Sequence, residues 1–239
     1  MLPGEAAYMP AMTPLPPLRP FAAVVFDMDG TLLDTELVFK QIVWDVTRGL
    51  GFDMTDAVHG QMVGSSHETT SRILVEAYGA AFPYELFDAE CRRIMRAQMA
   101  EAVPVKAGVT ELLAELKSRR VPMAVATSSR AAHALTQLGS AGLLDLFHAI
   151  VTRDDVVQPK PHPEPYLTAA RLLGLEPASC LAIEDSLSGV RAAHGAGMQT
   201  IMVPDLVPPT AETRTLCVVM PSLHAVREAA FGQDLVGQG

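Results

Sequence analysis

Short apolar runs recur along the chain, separated by stretches whose apolar positions fall three and four apart. Residues 22–26 (AAVVF), 122–126 (PMAVA), 180–183 (CLAI) and 199–203 (QTIMV) read as strands buried on both faces, and residues 149–152 as a weaker one. Between them, helical spacing covers residues 109–119, 131–138, 163–173 and 189–196, with Gly174 and Gly197 where helix ends are expected. Strands that alternate with helices predict an α/β fold: a doubly wound parallel sheet of at least five strands, with helices on both faces.

One interval breaks the rhythm. Residues 35–103 carry helical patterns and no convincing strand; in residues 92–102, for example, Ile94, Met95 and Met99 form the apolar face. This predicts a small all-helical cap domain, residues 35–103, inserted after the first strand of a core made of residues 21–34 and 104–239. The hinges fall near Asp34 and Pro104. Residues 1–20 hold Pro3, Pro10, Pro14, Pro16, Pro17 and Pro20, and they lack a basic start followed by an apolar stretch. They read as a flexible, proline-rich lead outside the fold rather than a secretory signal.

Composition narrows the function. The 239 residues are 49% hydrophobic and 19% charged, enough for a sizeable core. The net charge of -9, with no cluster of Lys or Arg, argues against a nucleic-acid partner. A small anionic substrate stays open, because a bound cation can reverse the local field. Three widely spaced cysteines, Cys91, Cys180 and Cys217, suggest neither disulfides nor a thiolate metal site and fit a cytoplasmic location. No apolar run is long enough to span a bilayer, so no membrane partner is expected.

Four polar groups each follow an apolar strand run, and ligands of open parallel sheets bind beyond the carboxyl ends of strands. The first is Asp27-Met28-Asp29-Gly30-Thr31, in which Asp27 and Asp29 can face one side of an extended chain. Paired carboxylates repel unless a cation or a proton intervenes, and oxygen-rich sites of this kind suit magnesium. The alternative is a plain Asp-Gly turn. The second is Thr127-Ser128-Ser129, whose hydroxyls and amides either hold phosphate or merely cap a helix. The third is Lys160, aimed by Pro159 and Pro161, where a solvated surface lysine is the alternative. The fourth is Glu184-Asp185-Ser186, which completes a metal shell or caps the next helix.

Together these residues resemble the haloacid dehalogenase superfamily, mostly phosphatases, over residues 21–205. The run Asp27-x-Asp29-Gly30-Thr31-Leu32 with Asp34-Thr35-Glu36 carries the resemblance. So does Glu184-Asp185-Ser186 with Gly189, Ala192, Ala193, Ala196, Gly197 and Met198. It implies a Rossmann-like core with a helical cap, and a magnesium-dependent phosphatase acting on a small phosphorylated metabolite through an aspartyl phosphate. By resemblance Asp27 is the nucleophile and Asp29 the general acid and base. Thr127 and the following amides, Ser128 first, bind phosphate, and Lys160 balances charge. Magnesium is held by Asp27, the backbone carbonyl of Asp29 and Asp185, with Glu184 beside or within the shell. Asp29 argues against dehalogenation, since members that break carbon–halogen bonds lack this second aspartate.

Two rival readings are a sugar phosphomutase resembling beta-phosphoglucomutase and a non-catalytic binding domain. Mutase-like members usually carry histidine where this chain has Phe39, and an arginine in the segment that here reads Val63-Gly64-Ser65-Ser66-His67. The presence of all the side chains the reaction needs argues against a non-catalytic domain. In the cap, Glu36 and His67 are the candidate substrate contacts, with Lys40 and His59 nearby. The substrate and the oligomeric state are not legible in the sequence.

Overall fold

The structure is a computed structural model that describes residues 18–62, 67–101 and 103–232. Most of the proline-rich lead and the segment 63–66 lie outside these residues. Six strands form one sheet: β1 (Ala23–Phe26), β2 (Met123–Ala126), β3 (Ala149–Val151), β4 (Cys180–Glu184), β5 (Gln199–Met202) and β6 (Val218–Val219). Their order is β3-β2-β1-β4-β5-β6, and every neighbouring pair is parallel. The five expected strands are all present. β6, two half-buried residues at the sheet edge, carries too short an apolar run to be seen in the sequence.

Side-chain alternation between two covered faces explains why these runs are mostly apolar. Val24 and Phe26 face one layer, formed by α5 (Val109–Ser118), α6 (Ala131–Ser140) and α10 (Leu223–Phe231), and pack there with Leu112, Leu116, Leu138 and Val226. Ala23 and Val25 face the other, formed by α7 (Glu164–Leu173) and α8 (Leu187–Gly195). That second layer is lined by Ala169, Ala170, Ala192 and Ala193, so its helices sit close to the sheet. A short helix, α9 (Ala211–Leu216), leads into β6.

The strand order reverses between β1 and β4. Successive crossovers run outward from β1 to β3, and the chain then returns to the other side of β1. Loops leaving the carboxyl ends of β1 and β4 therefore diverge, which opens a crevice there.

Residues 35–101 contain only helices among the described residues: α1 (Thr35–Gly49), α2 (Asp56–Met62), α3 (His67–Tyr78) and α4 (Tyr84–Glu101). They enclose their own core, with Ile42, Val43, Leu74, Phe82, Phe87 and Cys91 buried together. The expected hinges are two strand-like linkers. Asp34 N donates to Pro104 O at 2.9 Å, Lys106 N donates to Leu32 O at 2.9 Å, and Leu33 bridges Val105 antiparallel. The apolar face expected for residues 92–102 divides between two cores: Ile94 and Met95 pack in the cap, whereas Met99 packs on the sheet layer. Among the described residues, no helix is long and apolar enough to cross a membrane.

A separate cap core predicts separable stability. Leu74 is fully buried, so Leu74→Ala should cost about 2–5 kcal/mol of cap stability. Amide hydrogen exchange should quicken in α1–α4 while β1 and β4 keep their protection. Equal loss of protection in the sheet would contradict a cap that holds itself together.

Candidate active site

Asp27 leaves the end of β1, and its N–H donates to Ile183 O of β4 at 2.9 Å, so the residue is pinned at the strand-order reversal. Met28 points into the core and is fully buried. Gly30 then turns the chain with φ of 84°, a left-handed conformation that glycine adopts freely, and its N–H donates to Leu33 O at 3.0 Å. A β-carbon at position 30 would collide with the Asp185 carboxylate. The Asp-Gly turn read as an alternative is therefore present and serves the site: it lets carboxylates from β1 and β4 approach each other.

Lys160 is not a surface lysine; its side chain is 4% exposed. Its ammonium donates to Asp27 Oδ1 and to Glu184 Oε1, both at 2.5 Å. The loop that aims it is tied down by Glu164, whose two carboxylate oxygens accept from Val157 N (2.9 Å) and Gln158 N (2.8 Å). Glu184 is fully buried, and its Oε1 also accepts from the Tyr166 hydroxyl at 2.6 Å. Its Oε2 accepts from Ser186 Oγ at 3.1 Å and from Asp185 N at 3.2 Å. Both oxygens of Glu184 thus have protein partners. Gly189 makes room for this carboxylate, because any β-carbon there would overlap it. Helix capping at this motif falls to Ser186, whose Oγ accepts from Gly189 N at 3.1 Å.

The Thr127–Ser129 segment caps no helix, since the N-cap of α6 is Arg130. Thr127 is buried at the end of β2, and its Oγ1 accepts from Ser129 N at 3.0 Å; Ser128 is exposed beside it. Ser129 Oγ donates to Asp29 Oδ2 at 2.9 Å, which fixes the second aspartate against the β2 loop. Ser129 belongs to the motif at residues 127–129 expected to hold phosphate, but nothing in the sequence foreshadows its bond to Asp29. Tyr166 carries no signal beyond its place six residues after Lys160, on the helix that follows.

One ammonium faces three converging carboxylates. Oxygens of Asp27, Glu184 and Asp185 come within 4.8 Å of one another. Burial, then the charges of Glu184 and Asp185, push Asp27 well above the usual carboxylate range, although Lys160 pulls it down. Burial and Glu184 lift Asp185 to about 8. Burial works against the charge on Lys160, but Asp27 and Glu184 outweigh it and hold the lysine protonated. The cluster carries more negative charge than Lys160 can balance, and its donors are hard oxygens. Both features fit a divalent cation of the magnesium type.

In the cap, a cavity of about 340 Å³ is lined by Glu36, Phe39, His59, His67, Asp88 and Arg92, among others. His67 stands 3.4 Å from Asp88, which also pairs with Arg92 at 2.8 Å. Glu36 links cap to core: burial, then Asp205 and Asp29, raise its carboxyl pKa. Asp27, Lys160 and Thr127 do not line this cavity. Lys40 turns instead to Asp56, at 2.8 Å, and lies over the Trp44 ring. Of the mutase-type segment, only His67 is among the described residues, and Phe39 is 37% exposed.

A haloacid dehalogenase-like hydrolase family model matches residues 24–203. A phosphorylated carbohydrates phosphatase of Thermotoga maritima is 34% identical over 75% of this chain and 83% of its own. A probable pseudouridine-5'-phosphatase of Drosophila melanogaster is 34% identical over 90% of this chain and 95% of its own. The crystal structure of a putative beta-phosphoglucomutase from Thermotoga maritima superposes with a TM-score of 0.73 at 30% identity, covering 90% of this chain and 99% of that one.

The raised carboxyls have a signed consequence for stability. Asp185 holds its proton up to about 8 when folded, against an ordinary value of 3.8. Such a group stabilises the fold fully below its unfolded value, and the contribution disappears as pH climbs to the folded value. The metal-free protein should therefore lose urea resistance between about pH 4 and about pH 8, and saturating magnesium should flatten that decline. A metal-free midpoint that holds steady or rises across this window would contradict the arrangement.

Proposed function

Because the chain belongs to the haloacid dehalogenase-like hydrolase family and is a phosphatase of that family, we propose that it hydrolyses a small phosphomonoester, such as a sugar phosphate, through a phosphoryl group carried on Asp27. The observation that carries this reading is the buried Lys160 ammonium bridging Asp27 and Glu184 beside Asp185. It is a preorganised cationic contact next to a carboxylate that has room to bear charge only when neutralised.

In this reading Asp27 attacks phosphorus in line with the leaving oxygen, dividing hydrolysis into two easier steps. Asp29, oriented by Ser129, gives the leaving oxygen a proton and then takes one from water. Lys160 stays charged throughout and balances the nucleophile and the transferring group. Thr127 and Ser128 supply hydroxyls to the phosphoryl oxygens. Magnesium, held by Asp27, Asp185 and the Asp29 carbonyl, would neutralise phosphoryl charge in transfer. Glu184, with both oxygens engaged, orients Lys160 and Asp185 from the edge of that shell. Glu36 and His67 of the cap meet the leaving group and bias substrate choice. The three free cysteines are in keeping with a cytoplasmic enzyme.

The phosphomutase reading is supported by the likeness to a putative beta-phosphoglucomutase. Mutase-like members usually carry histidine where this chain has Phe39, whose ring lines the cap cavity and offers no proton-transferring group. Hydrolysis is the better-supported reaction.

The test is phosphate release from a panel of sugar phosphates, phosphoglycolate, nucleotides and p-nitrophenyl phosphate, with magnesium or with chelator. Magnesium-dependent release is expected, and Asp27→Asn should lower it at least about a thousandfold. Undiminished release in chelator, or from the Asp27→Asn protein, would defeat the proposal.

A further inference from the structure

Asp205 lies in the loop just beyond β5, next to the strand that bears Glu184 and Asp185. Its two carboxylate oxygens have different surroundings. Oδ1 accepts from Lys106 Nζ at 2.6 Å, and Lys106 also reaches Asp34 Oδ1 at 3.5 Å. Lys106 and Asp34 belong to the two linkers that join cap to core, so Oδ1 is fixed to the hinge. Oδ2 is buried and has no hydrogen-bond partner. The whole side chain is only 11% exposed.

The free oxygen looks toward the acidic site. A β-carbon at Gly30 would stand 3.3 Å from Asp205 Oδ2 and would collide with Asp185 Oδ2. Asp185 thus fills the place that a Gly30 side chain would take, and Asp205 Oδ2 lies on the edge of the same spot. Asp205 also raises the pKa of Asp185, after burial and the charges closer to it. A buried carboxylate oxygen with no donor is costly unless something supplies one. Magnesium keeps several of its waters when protein carboxylates bind it, and those waters are strong donors.

We propose that Asp205 is an outer-shell positioning residue of the magnesium centre, its Oδ2 accepting from a metal-bound water while Lys106 fixes its Oδ1 to the cap hinge. The inference rests on the magnesium reading above and adds a residue to it. Outer-shell partners orient the first ligands and water, and losing one weakens metal affinity about 10–100-fold. The competing role for Asp205 is a plain anchor for Lys106, which would hold the hinge and leave the metal indifferent.

The two roles differ in sign when magnesium binding is measured directly. Magnesium chloride is titrated calorimetrically into the metal-free full chain, at one pH, for wild type, Asp205→Asn and Lys106→Met. The proposal expects Asp205→Asn to bind magnesium about tenfold or more weakly. Lys106→Met removes a nearby positive charge, so it should bind as tightly as wild type or more so. Equal weakening in both variants would make Asp205 only the anchor of Lys106 and overturn the proposal, as would unchanged binding by Asp205→Asn. If Asp205→Asn fails to fold because Lys106 is left without its partner, Lys106→Met is compared with the Asp205→Asn/Lys106→Met double variant, and the same tenfold gap is expected. A wild-type chain that takes up no magnesium would defeat the metal reading itself, a different failure from a wild type that binds while Asp205→Asn matches it.

Discussion

A lysine ammonium held out of water between two carboxylates is the interaction on which the rest of this structure turns. Removing ions from water costs several kcal/mol each, so the Lys160 contacts to Asp27 and Glu184 form only where geometry and further hydrogen bonds compensate. The protein supplies those compensations from separate elements. Tyr166 of α7 and Ser186 at the start of α8 satisfy Glu184, Glu164 ties down the lysine loop, and Gly189 leaves space for the carboxylate. The lysine still falls short of neutralising its neighbours. Burial, and then the unbalanced charge of the neighbouring carboxylates, raise Asp27 and Asp185, and an oxygen cluster of this kind favours a cation.

The sheet explains why these groups meet. β1 and β4 are adjacent but separated by most of the chain, and reversal of strand order between them leaves their ends free to hold ligand-binding loops. The inserted cap enters and leaves through paired linkers beside the turn at residues 27–30. Hinge and acidic cluster are then neighbours: Lys106 pairs with Asp34 on one side and Asp205 on the other. Glu36, the second residue of the cap, senses both Asp29 and Asp205.

Much of this was legible in the sequence because it is written in local patterns. Apolar runs marked five strands, and polar residues directly after them marked Asp27, Thr127, Glu184 and Asp185. Proline on both sides singled out Lys160. What escaped depends on contacts between distant segments. Tyr166 looks like an ordinary helix residue until α7 is laid against the sheet. Asp205 sits in a proline-containing loop with no motif around it, and its importance comes from Lys106, 99 positions away. β6 is two residues long and owes its strand conformation to pairing with β5 rather than to its own sequence. The division of Met99 from Ile94 and Met95 likewise follows from α4 lying between two cores, which helical periodicity alone does not distinguish.

The central claim is that Asp27 carries the phosphoryl group and Asp29 moves the protons. Asp29→Ala keeps the nucleophile but removes the acid and base. An aryl phosphate such as p-nitrophenyl phosphate has a leaving group that departs with little protonation, so its first step should survive better than the second, which lacks its base. Rapid-quench kinetics of this variant, read by intact-protein mass and peptide mapping, should show a burst and a phosphoryl group accumulating on Asp27. A phosphoryl group mapped to any other residue would contradict the account.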